Sequence, residues 1–171
     1  QVLGVLGVAR DITERRRAES QQLLATSVFT HAREGIMITT VDGTIIEVND
    51  TFTEITGYTR SEAVGNNPRL LQSGRQAPEF YAALWRDLRE HGQWSGELWN
   101  RRKNGELFAE LLTISAVLGP AGEVAHYVAL FSDISKLKEY ERKLEQIAHY
   151  DSATLLPNRV QRTSLAADVL E

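Results

Sequence analysis

Residues 94–118 read WSGELWNRRKNGELFAELLTISAVL, two alternating runs on either side of Lys103-Asn104-Gly105. Successive side chains of a strand point to opposite faces, so Trp94, Gly96, Leu98 and Asn100 share one face, and Glu110 shares one with Phe108, Leu112 and Ile114. An amide and a carboxylate therefore stand in otherwise apolar rows. The turn decides whether they meet. A three-residue loop with Gly105 in the left-handed conformation brings Asn100 and Glu110 to the same side; a two-residue Asn104-Gly105 turn separates them. A buried polar group without a partner costs about 1–3 kcal/mol, and an unpaired charge more, so a dry pocket holding both is improbable unless something matches them. The plainer alternative leaves Glu110 at the sheet edge with Arg101, Arg102 or water, because carboxylates are rarely buried.

Working outward, three strands are expected at 94–102, 106–117 and 123–132, joined by the turn formers KNG and GPAG. Before them, Pro78 opens a helix whose Tyr81, Leu84, Trp85 and Leu88 recur at core spacing and which stops at Gly92. Further upstream, Ile36 and Ile38 alternate with Met37 and Thr39, Asp42-Gly43 signals a hairpin, and Thr44–Val48 is β-branched. Two capping boxes, Thr51-x-x-Glu54 and Thr59-x-x-Glu62, mark short helices ending near Gly57 and Gly65. Two strands, a group of helices and a three-strand meander predict an α+β domain. Its single five-stranded antiparallel sheet carries helices on one face, with a cavity between the layers. Of the tryptophans, Trp85 belongs to the core stripe, Trp99 lies opposite Asn100, and only Trp94 is a candidate to pack a ligand ring, with Gly96 allowing close approach or marking a bulge.

The 171-residue chain is 42% hydrophobic and 25% charged, enough for one proper core and too apolar for disorder. Its net charge of −4 argues against nonspecific nucleic-acid binding, and Arg15-Arg16-Arg17 reads as a solvated helix face. With no cysteine there is no disulfide framework or thiolate chemistry, which fits a cytoplasmic location. No apolar run is long enough to insert this stretch in a membrane, while tethering of a longer protein outside it stays open. None of the four histidines suits a haem. No triad order, paired-carboxylate spacing or phosphate-cradling glycine loop is present, so this stretch is not expected to be an enzyme. VARDITERR at 8–16 echoes LFSDISKLK at 130–138, which suggests the tail of a preceding domain of the same kind. Beyond Asp133, Leu137, Tyr140, Leu144 and Ile147 follow a 3, 4, 3 spacing, either a coiled-coil seam or a helix packed back on its own domain.

GIMITTVDGTIIEVNDTFTEITGYTRSEAVGNNPRLL, followed by GQWSGELWNRRKNGELFAELLTISAVLGPAGEVAHYVALFSDIS, resembles a PAS domain over residues 26–138. The resemblance rests on Asn49 with Phe52, Thr56-Gly57-Tyr58, Arg102-Lys103 with Gly105, and Asp133-Ile134-Ser135. Within that family, NPRLLQSG and WSGELWNRRK are most similar to the flavin-binding domains of redox sensors of the NifL and MmoS kind. The run from Gly65 to Gln72 also resembles the flavin motif of light-sensing LOV domains, with Pro68 where those carry the adduct-forming cysteine. The resemblance implies FAD, with FMN, another small molecule or no ligand as alternatives, and redox rather than photochemical signalling. It implies contacts from Thr39, Asn67, Arg69, Gln72, Trp94, Leu98, Asn100, Glu110 and Phe131, where Phe131 replaces the LOV glutamine and Arg69 has a surface ion pair as its plainer role. Flavin-binding relatives use two residues ten apart to read the ring's polar edge, which favours the three-residue loop. HYDSATLLPNR at 149–159 resembles the entry to a GGDEF domain, departing from it at Ala153 and Leu155. The expected organisation is then 1–13 preceding PAS tail, 14–32 helical linker, 33–135 PAS domain, 136–149 signalling helix and 150–171 truncated GGDEF start. A homodimer, a GGDEF partner in cis, and a longer protein acting as a diguanylate cyclase or phosphodiesterase follow from the same resemblance. A ligand-free dimerisation and relay module is the alternative.

Overall fold

The computed structural model describes residues 13–149. The expected PAS tail at 1–13 and GGDEF start at 150–171 thus lie outside the described residues, apart from Thr13 at a helix start. In chain order the elements are helix α1 (Thr13–Thr30), strands β1 (Gly35–Thr40) and β2 (Ile45–Val48), helices α2 (Asp50–Thr56) and α3 (Arg60–Ala63), a 3-10 turn (Pro68–Leu71), helix α4 (Pro78–His91), strands β3 (Gln93–Arg101), β4 (Leu107–Leu118) and β5 (Val124–Asp133), and helix α5 (Ser135–His149). The strands form one antiparallel sheet in the order β2-β1-β5-β4-β3. The α+β architecture expected from the sequence is therefore the one observed.

The inner face of the sheet is apolar and covered. Leu98, Phe108, Leu112, Ala129 and Phe131 are buried there, while Leu107, Leu111 and Val117 on the opposite face remain exposed. Phe52 of α2 is fully buried and meets Phe131 edge to face at 5.9 Å. Fully burying one such ring is worth roughly 2–3 kcal/mol, so this contact anchors the helical layer over the centre of the sheet.

Local chemistry explains where the elements stop. Gly105 has φ +91°, Gly105 N–H donates to the Arg102 carbonyl, and Arg102 N–H donates to the Glu106 carbonyl at 2.9 Å. This is the three-residue loop, and it sets Leu98 opposite Glu110 and Asn100 opposite Phe108. Gly92 caps α4 at φ 71°. Two sequence expectations change. The cap of α2 is Asn49, not Thr51: Asn49 Oδ1 accepts from Phe52 N–H at 2.9 Å and also from Ile36 N–H at 2.8 Å, so it joins helix to strand. Thr51 instead donates to the Ala32 carbonyl. Trp85 leaves the core stripe and is 37% exposed, its ring edge-on to Tyr127 at 5.6 Å, whereas Leu84 and Leu88 are buried as expected.

Candidate ligand-binding site

A cavity of about 780 Å³ lies between the inner face of the sheet and the layer formed by the 3-10 turn and α4. That is within the size range of small-molecule and cofactor sites. Of the nine residues singled out from the sequence, Thr39, Asn67, Arg69, Gln72, Leu98, Asn100, Glu110 and Phe131 line it. Trp94 sits elsewhere. Its ring lies over Gly96, with ring atoms 2.8 and 2.9 Å from where a Cβ would stand, and edge-on to Phe80 at 5.9 Å. Gly96 does admit an aromatic ring against the sheet, but that ring belongs to the protein.

The inner wall holds the polar pair. Asn100 is 8% exposed and Glu110 2%, and Asn100 Nδ2 donates to Glu110 Oε1 at 2.9 Å. The edge pairing considered for Glu110 is overturned. Arg101 donates to the Ser73 and Gly105 carbonyls, and Arg102 turns to Asp133, Glu106 and the Ile55 carbonyl. Burial, more than the neighbouring Asp133, pushes the Glu110 carboxyl up to about 8 against the opposing effect of the Asn100 hydrogen bond. Glu110 Oε2 is buried without a protein partner among the described residues. A carboxyl left half-matched in an apolar wall is the kind of group that a bound molecule satisfies.

The mouth is built from loops. Asn67 caps the 3-10 turn by accepting from Arg69 N–H at 3.1 Å and donates to the Gly43 carbonyl at 3.1 Å. One amide proton and one oxygen lone pair thus hold the rim together, leaving the second proton for a ligand. Gly43 needs to be glycine here: its φ is +85°, and a Cβ would lie 2.9 Å from Asn67 Nδ2. Arg69 is exposed at the mouth and, among the described residues, enters no ion pair, so the surface pairing considered for it is not observed. Gln72 is bridged to Asn100 across the backbone. Just beyond, Ser73 Oγ donates to the Trp99 carbonyl at 2.6 Å, which clamps this segment onto β3.

Sequence reasoning missed Tyr81 and Tyr127 as lining residues. Tyr81 fits a core stripe, yet its hydroxyl is buried and unpartnered among the described residues. The available signal was its phenolic end, which a core stripe leaves unmatched.

Behind the wall lies the root of α5. Ile134 N–H donates to the Ala109 carbonyl at 2.9 Å, Ala109 N–H donates to Ser135 Oγ at 3.0 Å, and Asp133 Oδ1 accepts from Ser135 N–H at 2.8 Å. Ala109 is the neighbour of Glu110 in β4, and Glu110 pairs in register with Asp133. Leu137, Tyr140 and Leu144 of α5 are 53%, 61% and 66% exposed, so this helix does not bury that row against its own domain.

A five-stranded antiparallel sheet with short helices closing one face over a cavity that carries a polar pair on its inner wall is the architecture of a sensory domain. The chain belongs to the PAS domain family, whose profile matches residues 33–136. It is 36% identical to the nitrogen fixation regulatory protein of Klebsiella oxytoca over 113 residues, which cover 66% of this chain and 23% of that protein. The chain thus spans about a quarter of that relative's length. Among solved structures, a PAS domain from Colwellia psychrerythraea has the same fold, with a TM-score of 0.64 at 19% identity over 68% of this chain and 98% of that one. A Light-Oxygen-Voltage domain studied through a flavin analogue matches with a TM-score of 0.57 at 27% identity, over 72% of this chain and 94% of that one.

Proposed function

We propose that this PAS domain binds a flavin, FAD in preference to FMN, and senses its redox state. The observation that carries the reading is the buried Asn100–Glu110 pair, whose second carboxyl oxygen has no protein partner among the described residues, on the wall of a cavity of about 780 Å³. The pyrimidine edge of a flavin alternates acceptors with an N–H donor, and an amide beside a carboxyl is complementary to such an edge. Thr39, Leu98 and Phe131 would enclose the ring, while Asn67, Arg69 and Gln72 at the mouth would meet the ribityl and phosphate portion. The likeness to a Light-Oxygen-Voltage domain studied with a flavin analogue supports the same ligand class. When bound, the flavin supplies electron transfer; the chain's own residues bind it, exclude water and respond to its charge.

Relay requires that two ligand states interact differently with two arrangements of sheet and helix, because equal affinity shifts no equilibrium. The hydrogen bonds from Ala109 to Ile134 and Ser135 tie the wall of the cavity to α5 and give the relay a physical path. The exposed row of Leu137, Tyr140 and Leu144 supports a homodimer through this helix. The resemblance of residues 149–159 to a GGDEF entry supports a cyclic-di-GMP output in a longer protein. Purified protein is expected to be yellow, or to take up added FAD, with absorbance near ~450 nm. A colourless protein that takes up neither FAD nor FMN would sink the reading in favour of a ligand-free relay module.

A further inference from the structure

Two polar atoms without a protein partner among the described residues belong to cavity-lining residues on facing layers: Glu110 Oε2 from β4 and the Tyr81 hydroxyl from α4. Among the described residues the Glu110 carboxyl has one tie, the bond from Asn100 Nδ2 at 2.9 Å to its other oxygen. The groups around it are Asn100 from β3, Tyr81 from α4 and, opposite in register on β5, Asp133, whose charge is taken up by Arg102. Among the described residues no cation pairs with Glu110 itself. An ionised carboxylate here would have a single hydrogen bond, a carboxylate neighbour and no water-like solvation, so the neutral acid is the form the site accepts. Burial, to which any charge on Glu110 would add, also holds the Tyr81 phenol above its ordinary value, so it keeps its proton. Both orphan oxygens are then hydrogen-bond donors.

We propose that neutral Glu110 and Tyr81 form a donor pair that binds acceptor atoms on the polar edge of the ligand, and that the ligand therefore binds only the protonated form of Glu110. Asn100 Nδ2 is committed to Glu110, which leaves Asn100 Oδ1 to accept from an adjoining ligand N–H. The wall thus reads an acceptor next to a donor, the pattern of an imide edge. This inference rests on the flavin reading above and adds to it a residue on the helical layer and a proton. Its consequence is that the site couples ligand occupancy to pH.

The test uses FAD and FMN as probes, with dissociation constants measured by fluorescence titration from about pH 6 to about pH 9.5 on the unaltered protein, Glu110→Gln and Tyr81→Phe, each checked for folding by circular dichroism. The unaltered protein is expected to bind with constant affinity at low pH and to weaken towards tenfold per pH unit once Glu110 ionises. Glu110→Gln keeps the Asn100 bond and offers an N–H in place of the acid proton, so it should bind without that dependence. Tyr81→Phe should bind roughly five- to tenfold more weakly at every pH while keeping it. Titration calorimetry at about pH 8.5, in buffers of different ionisation enthalpy, should register proton uptake by the unaltered protein and not by Glu110→Gln. A flat profile for the unaltered protein, an unchanged profile in Glu110→Gln or full affinity in Tyr81→Phe overturns the donor pair while leaving flavin binding intact. No binding of either flavin by any of the three removes the functional reading and the donor pair with it.

Discussion

Replacing Glu110 by Gln tests the buried carboxyl without any ligand. The carboxyl is pushed from its ordinary 4.5 up to about 8 in the folded protein, with burial as the first cause. Between those values the unfolded chain loses this proton while the folded chain keeps it, so folding becomes less favourable as pH rises through the window. Below about pH 4.5 the acid is neutral in both states and costs nothing; above about pH 8 it is ionised in both and the folded state bears the whole penalty. At about 1.4 kcal/mol per pH unit the gap amounts to up to about 5 kcal/mol, a large share of the stability of a single domain. Gln is close to isosteric, and its carbonyl can accept from Asn100 Nδ2 as Glu110 Oε1 does at 2.9 Å. Asp133, whose carboxyl Arg102 and Ser135 hold below its ordinary value against the effect of burial, stays ionised in both proteins across this window and adds no pH dependence of its own there. Urea unfolding followed by circular dichroism at about pH 5 and about pH 8.5 should therefore show Glu110→Gln gaining several kcal/mol on the unaltered protein between the two conditions. A stability difference that stays constant across that range would mean that the acid is solvated in the folded state, and the account of the cavity wall given above would be wrong.

Three further outcomes are expected. Asn100→Ala removes the side-chain partner of Glu110 Oε1 and should cost about 1–3 kcal/mol in urea unfolding at neutral pH, an effect that Glu110→Gln should lessen. Gly35→Ala places a Cβ 2.4 Å from the tip of the Phe131 ring, so the ring must move or β1 must shift; thermal melting should report a loss of roughly 1–3 kcal/mol, and an unchanged midpoint would show that Phe131 is not fixed against β1. Asp133→Asn weakens the contact with Arg102 and the acceptor for Ser135 N–H, so amide exchange at residues 134–138 should accelerate while β4 stays protected; equal protection in both proteins would place the hold on α5 elsewhere.

The hairpin was legible because turn chemistry and alternation agree: Lys103-Asn104-Gly105 supplies a residue that tolerates positive φ, and a three-residue loop then puts Asn100 and Glu110 on one face. The order of elements followed in the same way from local signals at Asp42-Gly43, Pro78 and Gly92. What failed were inferences from a face to a place on that face. Trp94 does share its row with Leu98 and Asn100, but alternation fixes only the side of the sheet, and the ring folds along the strand over Gly96 instead of reaching the cavity. Trp85 fits a 3.6-residue stripe whose edge lies over a cavity rather than over packed side chains, which periodicity cannot register. Asn49 and Thr51 are both cap formers; the choice fell to Asn49 because Ile36 N–H of β1 also needed an acceptor, a fact of tertiary structure.

The arrangement of charges explains why a change in the cavity need not travel far to reach α5. Glu110 and Asp133 are register partners on adjacent strands, and a second negative charge at 110 would act on a carboxylate already tied to Arg102, to Ser135 N–H and so to the first turn of the helix. Arg102 in turn lies over the Phe108 ring at 4.4 Å and donates to the Ile55 carbonyl at the end of α2, so hairpin, helical layer and helix root share one cation. With side chains 17% and 29% exposed, Arg102 and Asp133 are screened less from an added charge at buried Glu110 than the Lys143–Glu139 pair on α5, at 55% and 53%, is by water and salt. A ligand whose states differ in charge or proton demand at Glu110 would thus act on Asp133, a group that both the sheet and the helix use. A ligand that binds only the apolar part of the cavity, against Leu98 or Leu112, has no such lever and would stabilise the fold without biasing α5.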